Sequence, residues 1–163
     1  MTTGKYTFNG CNSLKEVTIG NSVTSIGSSA FDSCESLETV VIGSSVTSID
    51  EYAFWFCTNL SSVLSLNPEP PTCSSTSFGY VDTNTCALTV PEGSKEAYAA
   101  ADVWKDFLNI KEEDLTGVSA VSVADDEQEV SRYTLDGKRV NAPQKGVNII
   151  RYSDGSARKV LVQ

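Results

Sequence analysis

Ser29-Ala30-Phe31-Asp32-Ser33-Cys34-Glu35-Ser36-Leu37-Glu38-Thr39-Val40-Val41-Ile42 decides the fold, because the same pattern stands on either side of it. Phe8, Phe31 and Phe54 recur at a 23-residue step. Cys11, Cys34 and Cys57 keep that step, as do Leu14, Leu37 and Leu60, and Val17, Val40 and Val63. Shorter series (Ile19/Ile42, Val23/Val46, Ile26/Ile49, Ala30/Ala53) stay in register with them. A fixed period of this size marks a repeat array, in which each unit buries its apolar face only against its neighbours.

Within a unit the spacing assigns local structure. In Leu37-x-x-Val40-x-Ile42 the last two apolar residues are two apart, so they share one face of a strand while Thr39 and Val41 face the other way. A glycine, Gly20 or Gly43, follows. Val23-x-x-Ile26 and Val46-x-x-Ile49 then form a second short extended piece. Ala30-Phe31 and Ala53-Phe54 set a small residue beside a large one, which suits a tight helical or 3₁₀ turn whose Phe fills the core. Stacked coils would be about 4.8 Å apart.

The pattern A-F-x-x-C-x-x-L-x-x-V-x-I-x-x-x-V-x-x-I, over residues 7–66, resembles the BspA-like leucine-rich repeats of surface proteins from gut and oral anaerobic bacteria. Thr7 stands for the first Ala and Ser65 for the third Ile. The resemblance implies a β-rich solenoid on the outside of a cell, or secreted, that binds other proteins. The stretch T-V-P-E-G-S-x-x-A-Y…W-x-x-F-x-N-I resembles the segment that follows the last repeat in that family, and so implies a C-terminal cap.

Three regions are expected: repeats over 1–66, a cap over 67–114, and a small β-sandwich-like module over 115–163. Charge supports the last boundary. Residues 68–114 carry 3 basic and 9 acidic side chains, whereas residues 115–163 carry 7 and 6. In the cap, Pro68-Glu69-Pro70-Pro71 breaks regular structure. Ala87–Pro91 reads as a strand, and Ser94 as the N-cap of a short Ala-rich helix. In the module, alternation predicts strands near residues 130–135, 138–140, 147–152 and 158–162, with turns at Asp136-Gly137 and Asp154-Gly155. This tail resembles the C-terminal modules of exported proteins, some of which are sorting signals. The N-terminus begins inside a repeat and reads as the edge of a longer array; it shows no apolar signal segment.

Composition narrows the function. The net charge of −9 disfavours nucleic acid. No apolar run reaches the ~18 residues of a membrane span. With no histidine, the common nucleophile–base pairs and most zinc sites are lost, and no enzyme, metal or cofactor is expected. The acidic runs at 111–114 and 125–127 lack calcium-loop spacing and read as solvated linker. The repeat cysteines read as small buried side chains bonded to turn backbone. Cys73 and Cys86 are open to two readings. They could close a disulfide in an exported protein, adding about 3 kcal/mol on the chain-entropy estimate, or remain two buried thiols.

The candidate binding surface is the outward side of the strands: Glu16 and Thr18, Thr39 and Val41, Ser62 and Leu64. It passes from charged and polar to partly apolar along the array. Trp55 is a further candidate, with Phe56 beside it, and the Pro68–Pro71 loop is expected to cover it. Three functions fit: an adhesive module for an extracellular protein, a spacer without its own ligand, and a glycan-binding module stacking sugars on Trp55, Tyr52 and Tyr80. A monomer is expected.

Overall fold

The computed structural model describes residues 1–115 throughout and, beyond them, the strands Glu129–Thr134, Arg139–Val140, Gly146–Tyr152 and Ala157–Val162. The chain divides into two compact units, Met1–Val121 and Ser122–Gln163.

The first unit is a solenoid with two parallel ladders. The short ladder is β1 (Thr2–Thr3), β3 (Ser25–Ile26), β5 (Ser48–Ile49) and β7 (Thr72–Cys73). The long one is β2 (Glu16–Ile19), β4 (Thr39–Ile42), β6 (Ser62–Ser65), β8 (Ala87–Pro91) and β9 (Asn109–Glu113). The 23-residue period sets the register directly: Val17 pairs with Val40 and Val40 with Val63. Val17, Val40 and Val63 therefore lie over one another, and Ile19 over Ile42. Val40, Ile42 and Val63 are completely buried.

Between the ladders runs a column of phenylalanines. Phe8, Phe31, Phe54 and Phe78 stack face to face at 5.2, 5.3 and 5.1 Å, with planes within 14° of parallel. Burying each of Phe31, Phe54 and Phe78 contributes about 1.5–3 kcal/mol, and ring contact adds about 0.5–1.5 kcal/mol per pair. The turns that carry the rings are closed by bonds between residues three apart, such as Ala30 N to Gly27 O and Cys34 N to Phe31 O. Left-handed φ at Ser29 (53°) and Ser33 (60°) prevents these turns from merging into one helix. Gly43 answers a different need. A Cβ there would lie 2.6 Å from the Ile19 carbonyl oxygen, so the coils could not close up.

The ladders do not stop at residue 66. β7 and β8 extend them, Phe78 joins the ring column, and Ser77 takes the place of Ala53, donating to the Ile49 and Asp50 carbonyls at 3.0 Å. Closure comes later. α1 (Lys95–Ala100) and a 3₁₀ turn (Trp104–Asp106) bring Trp104 and Phe107 against Phe78, with Tyr98 packed edge-on against Trp104. Phe107 meets Phe78 edge-on, at 89°, which ends the face-to-face stack. Ser94 precedes α1 but its side chain makes no capping bond; Glu112 of β9 accepts from the Lys95 amide at 2.7 Å instead.

In the second unit β10 (Glu129–Thr134), β11 (Arg139–Val140), β12 (Gly146–Tyr152) and β13 (Ala157–Val162) form one antiparallel sheet in the order β11-β10-β12-β13. The expected turns at Asp136-Gly137 and Asp154-Gly155 and the acidic run at 125–127 lie outside the described residues.

Candidate functional site

Register assembles the candidate sheet face. Glu16, Thr39, Ser62, Ala87 and Asn109 form one outward column. Thr18, Val41, Leu64, Thr89 and Lys111 form the next. Glu16 and Thr18 are exposed, whereas Thr39, Val41, Ser62 and Leu64 are half-buried by their neighbours. Val41 and Leu64 are thus adjacent and form an apolar step between Thr18 and Thr89. All six sheet residues named from the sequence lie on one surface.

Trp55 lies elsewhere, on the turns, and its cover differs from the expectation. It packs on the next coil, where a Cβ on Gly79 would fall 2.2 Å from the indole carbons Cε3 and Cζ3. Tyr52 and Tyr80 meet the indole edge-on at 5.0 and 4.8 Å, at 86° and 81°. Phe56 and Tyr80 stack at 4.1 Å, 18° from parallel. Tyr52, Phe56 and Tyr80 remain 40, 38 and 63% exposed. The tryptophan at the proline loop is Trp104, whose Nε1 donates to Pro71 O at 2.7 Å. The Gly79–Tyr80 pair can be aligned with Trp55–Phe56 from the sequence, but a single inserted residue between Phe54 and Phe78 breaks the step and hides it.

The cysteines serve the framework. Cys34 Sγ donates to Phe8 O at 3.1 Å and Cys57 Sγ to Phe31 O at 3.2 Å. Burial pushes the Cys57 thiol up to about 12 and also raises Cys34. The Cys73–Cys86 disulfide is not formed; both are free thiols. Cys73 follows Ile26 and Ile49 in the short ladder, while Cys86 precedes β8 of the long one. Burial raises them to about 12 and about 11, so both are protonated near neutral pH. Among the described residues no group of three or more His, Cys, Asp or Glu is placed to hold a metal ion, and no helix is long and apolar enough to cross a membrane.

A repeat of this kind, with Phe, Cys, Leu, Val and Ile each stacked on its own copy, is the framework of a known family. Residues 2–98 match the family described as BspA type leucine rich repeat region (6 copies). The chain belongs to this family. The match runs past residue 66 into β8 and α1, in keeping with the coil that Phe78 adds to the solenoid. Neither the curated proteins nor the solved structures compared with the chain gave a match. Leucine-rich repeats of this type point to a protein-interaction module, and the outward columns are where this solenoid varies while its buried columns repeat.

Proposed function

We propose that this BspA-type repeat protein is a non-enzymatic adhesive module, displayed at a bacterial cell surface or secreted, that binds an extracellular protein through the outer face of its long ladder. The observation that carries this reading is the Val41–Leu64 step. Two large aliphatic side chains from successive rungs occupy a column whose other members are Thr18, Thr89 and Lys111. The buried framework does not need them there, since Val40, Ile42 and Val63 already fill the inner face. An apolar step within a polar surface is the usual form of a contact centre. In this reading the C-terminal sheet is a module of the kind found at the ends of exported proteins.

The test is a binding screen of the chain against extracellular-matrix proteins, repeated with Val41→Glu. A partner whose binding falls at least tenfold with Val41→Glu, in a protein with unchanged melting, supports the sheet face. Binding indifferent to Val41→Glu and Leu64→Glu removes the sheet face from consideration, and absence of binding to any matrix protein favours the spacer.

A further inference from the structure

The turns carry a second column, one residue per coil: Gly10, Ser33, Phe56 and Tyr80. Its register is fixed by backbone bonds of one kind. Gly10 N donates to Asp32 O at 2.8 Å, Ser33 N to Trp55 O at 2.7 Å and Phe56 N to Gly79 O at 3.0 Å. All four have left-handed φ: 69°, 60°, 57° and 67°. That conformation suits glycine and costs an L-residue about 1–2 kcal/mol, so Phe56 and Tyr80 are not there for the backbone's sake. Nor do they serve the core, which the Phe31–Phe54–Phe78 stack already fills. They hold two parallel rings at the surface; Trp55 buttresses both from the side, and Tyr52 meets Trp55 edge-on.

The ring column ends abruptly. The next member toward the N-terminus is Ser33, and beyond it Gly10. Coils are spaced by about 4.8 Å, so replacing a ring by a serine leaves a ledge beside Phe56 with the depth of about one planar group. Ser33 Oγ donates to Asp32 Oδ1 at 2.9 Å, which places a carboxylate at this ledge. The coils that carry Ser33, Phe56 and Tyr80 are one-sided in charge. No Lys or Arg occurs between Lys15 and Lys95, whereas Asp32, Glu35, Asp50, Glu51 and Asp82 all fall in that interval.

A ligand for this ledge must be flat enough to continue a ring stack and positive enough to meet a carboxylate. A guanidinium is both: it lies on aromatic faces, and its fork of N–H donors matches a carboxylate. An ammonium supplies the charge without the plane, and a neutral sugar supplies a stacking face without the charge. We infer that the ledge at Ser33, between the Phe56 ring and the Asp32 carboxylate, receives an arginine side chain of a partner protein. This site does not depend on the sheet face, which belongs to a different part of each coil.

The experiment is an NMR titration of the full chain with the peptide Ser-Gly-Arg-Gly-Ser and its lysine and citrulline analogues. The arginine peptide should shift the amides of Ser33, Phe56 and Tyr80 saturably. The lysine peptide should bind about threefold more weakly, for loss of the stacked plane. Citrulline keeps the plane without the charge and should bind about tenfold more weakly. Asp32→Asn should weaken the arginine peptide by about fivefold. Ser33→Phe extends the ring column into the ledge and should abolish binding, and a melting curve as sharp as that of the parent protein shows that the fold survives. Val41→Glu should leave this titration unchanged, which separates the two surfaces. Equal affinity for arginine and citrulline overturns the assignment, as does an Asp32→Asn variant that binds like the parent. Saturation of the same amides by a neutral cello-oligosaccharide, with no response to the arginine peptide, overturns it in favour of a glycan site.

Discussion

Tyr98→Phe should destabilise the solenoid by about 2 kcal/mol although it removes a single oxygen. Tyr98 lies on α1 and is completely buried. Its hydroxyl donates to Asn67 O at 2.8 Å and lies 2.7 Å from Ser65 Oγ. The phenol has one proton, which goes to Asn67, so Ser65 is the donor in the second bond. Removing the oxygen orphans the buried Ser65 hydroxyl and takes a donor from the Asn67 carbonyl, while the ring keeps its contact with Trp104 at 5.2 Å. An unsatisfied buried polar group costs about 1–3 kcal/mol. Ser65→Ala leaves the Asn67 bond in place and should cost about 1 kcal/mol or less. The two changes should also couple. In the Tyr98→Phe background, Ser65→Ala removes the orphaned hydroxyl and should restore about 1 kcal/mol. Urea unfolding of the four proteins measures the cycle. The midpoint temperature of Tyr98→Phe should fall by roughly 6–12 °C in a unit of this size. A Tyr98→Phe protein as stable as the parent to within about 0.5 kcal/mol, the scatter expected of independent sites, would refute the accounting. A double variant worse than the sum of the singles would refute it too.

Two further outcomes follow from the core. Phe54→Ala should cost about 3–5 kcal/mol, because the ring is sandwiched between Phe31 and Phe78 and fully buried; Phe8→Ala should cost less, since Phe8 is 42% exposed and stacks on one side only. Chemical denaturation that ranks the two equally would contradict a graded stack. Stability should also fall at alkaline pH. Burial raises Cys57 and Cys73 from 9.0 to about 12, Cys86 from 9.0 to about 11 and Tyr98 from 10.0 to about 12. The folded chain therefore keeps protons that the unfolded chain releases above pH 9, and unfolding gains as pH rises through that window. Melting temperatures constant between pH 7 and 8 and declining above 9 are expected; a midpoint unchanged up to pH 11 would show that these groups ionise alike in both states.

Much of the molecule is legible from one number. The 23-residue step places Val40 over Val17 and Phe31 over Phe8 without any knowledge of the path between them, because each coil touches only its neighbours and copies itself. The same step brings the six outward sheet residues onto one face. It misleads where the period changes. Phe78 falls just out of step with Phe54, and Cys73 takes the place of an isoleucine. This coil therefore looks like loop in the sequence, with its cysteine open to a disulfide or a free thiol, whereas it is a rung of the ladder with a free thiol. The pattern sets Trp55 beneath the proline loop because Gly79, the residue it rests on, is out of phase with the repeat.

The sequence by itself determined the repeat: which side chains face inward, which strands pair, and in what register. The tertiary structure alone decided the contacts between residues that have no counterpart in other coils. Ser65 departs from the isoleucine of the framework, and the partner that makes sense of it is Tyr98, 33 residues away on a helix outside the period. Trp104 reaches Pro71 across the same separation. Repetition fixes neighbours at one constant offset, whereas these pairs depend on how the chain turns after its last regular coil. Composition and spacing do not encode that path locally, and it emerges only when the end of the core has to be covered.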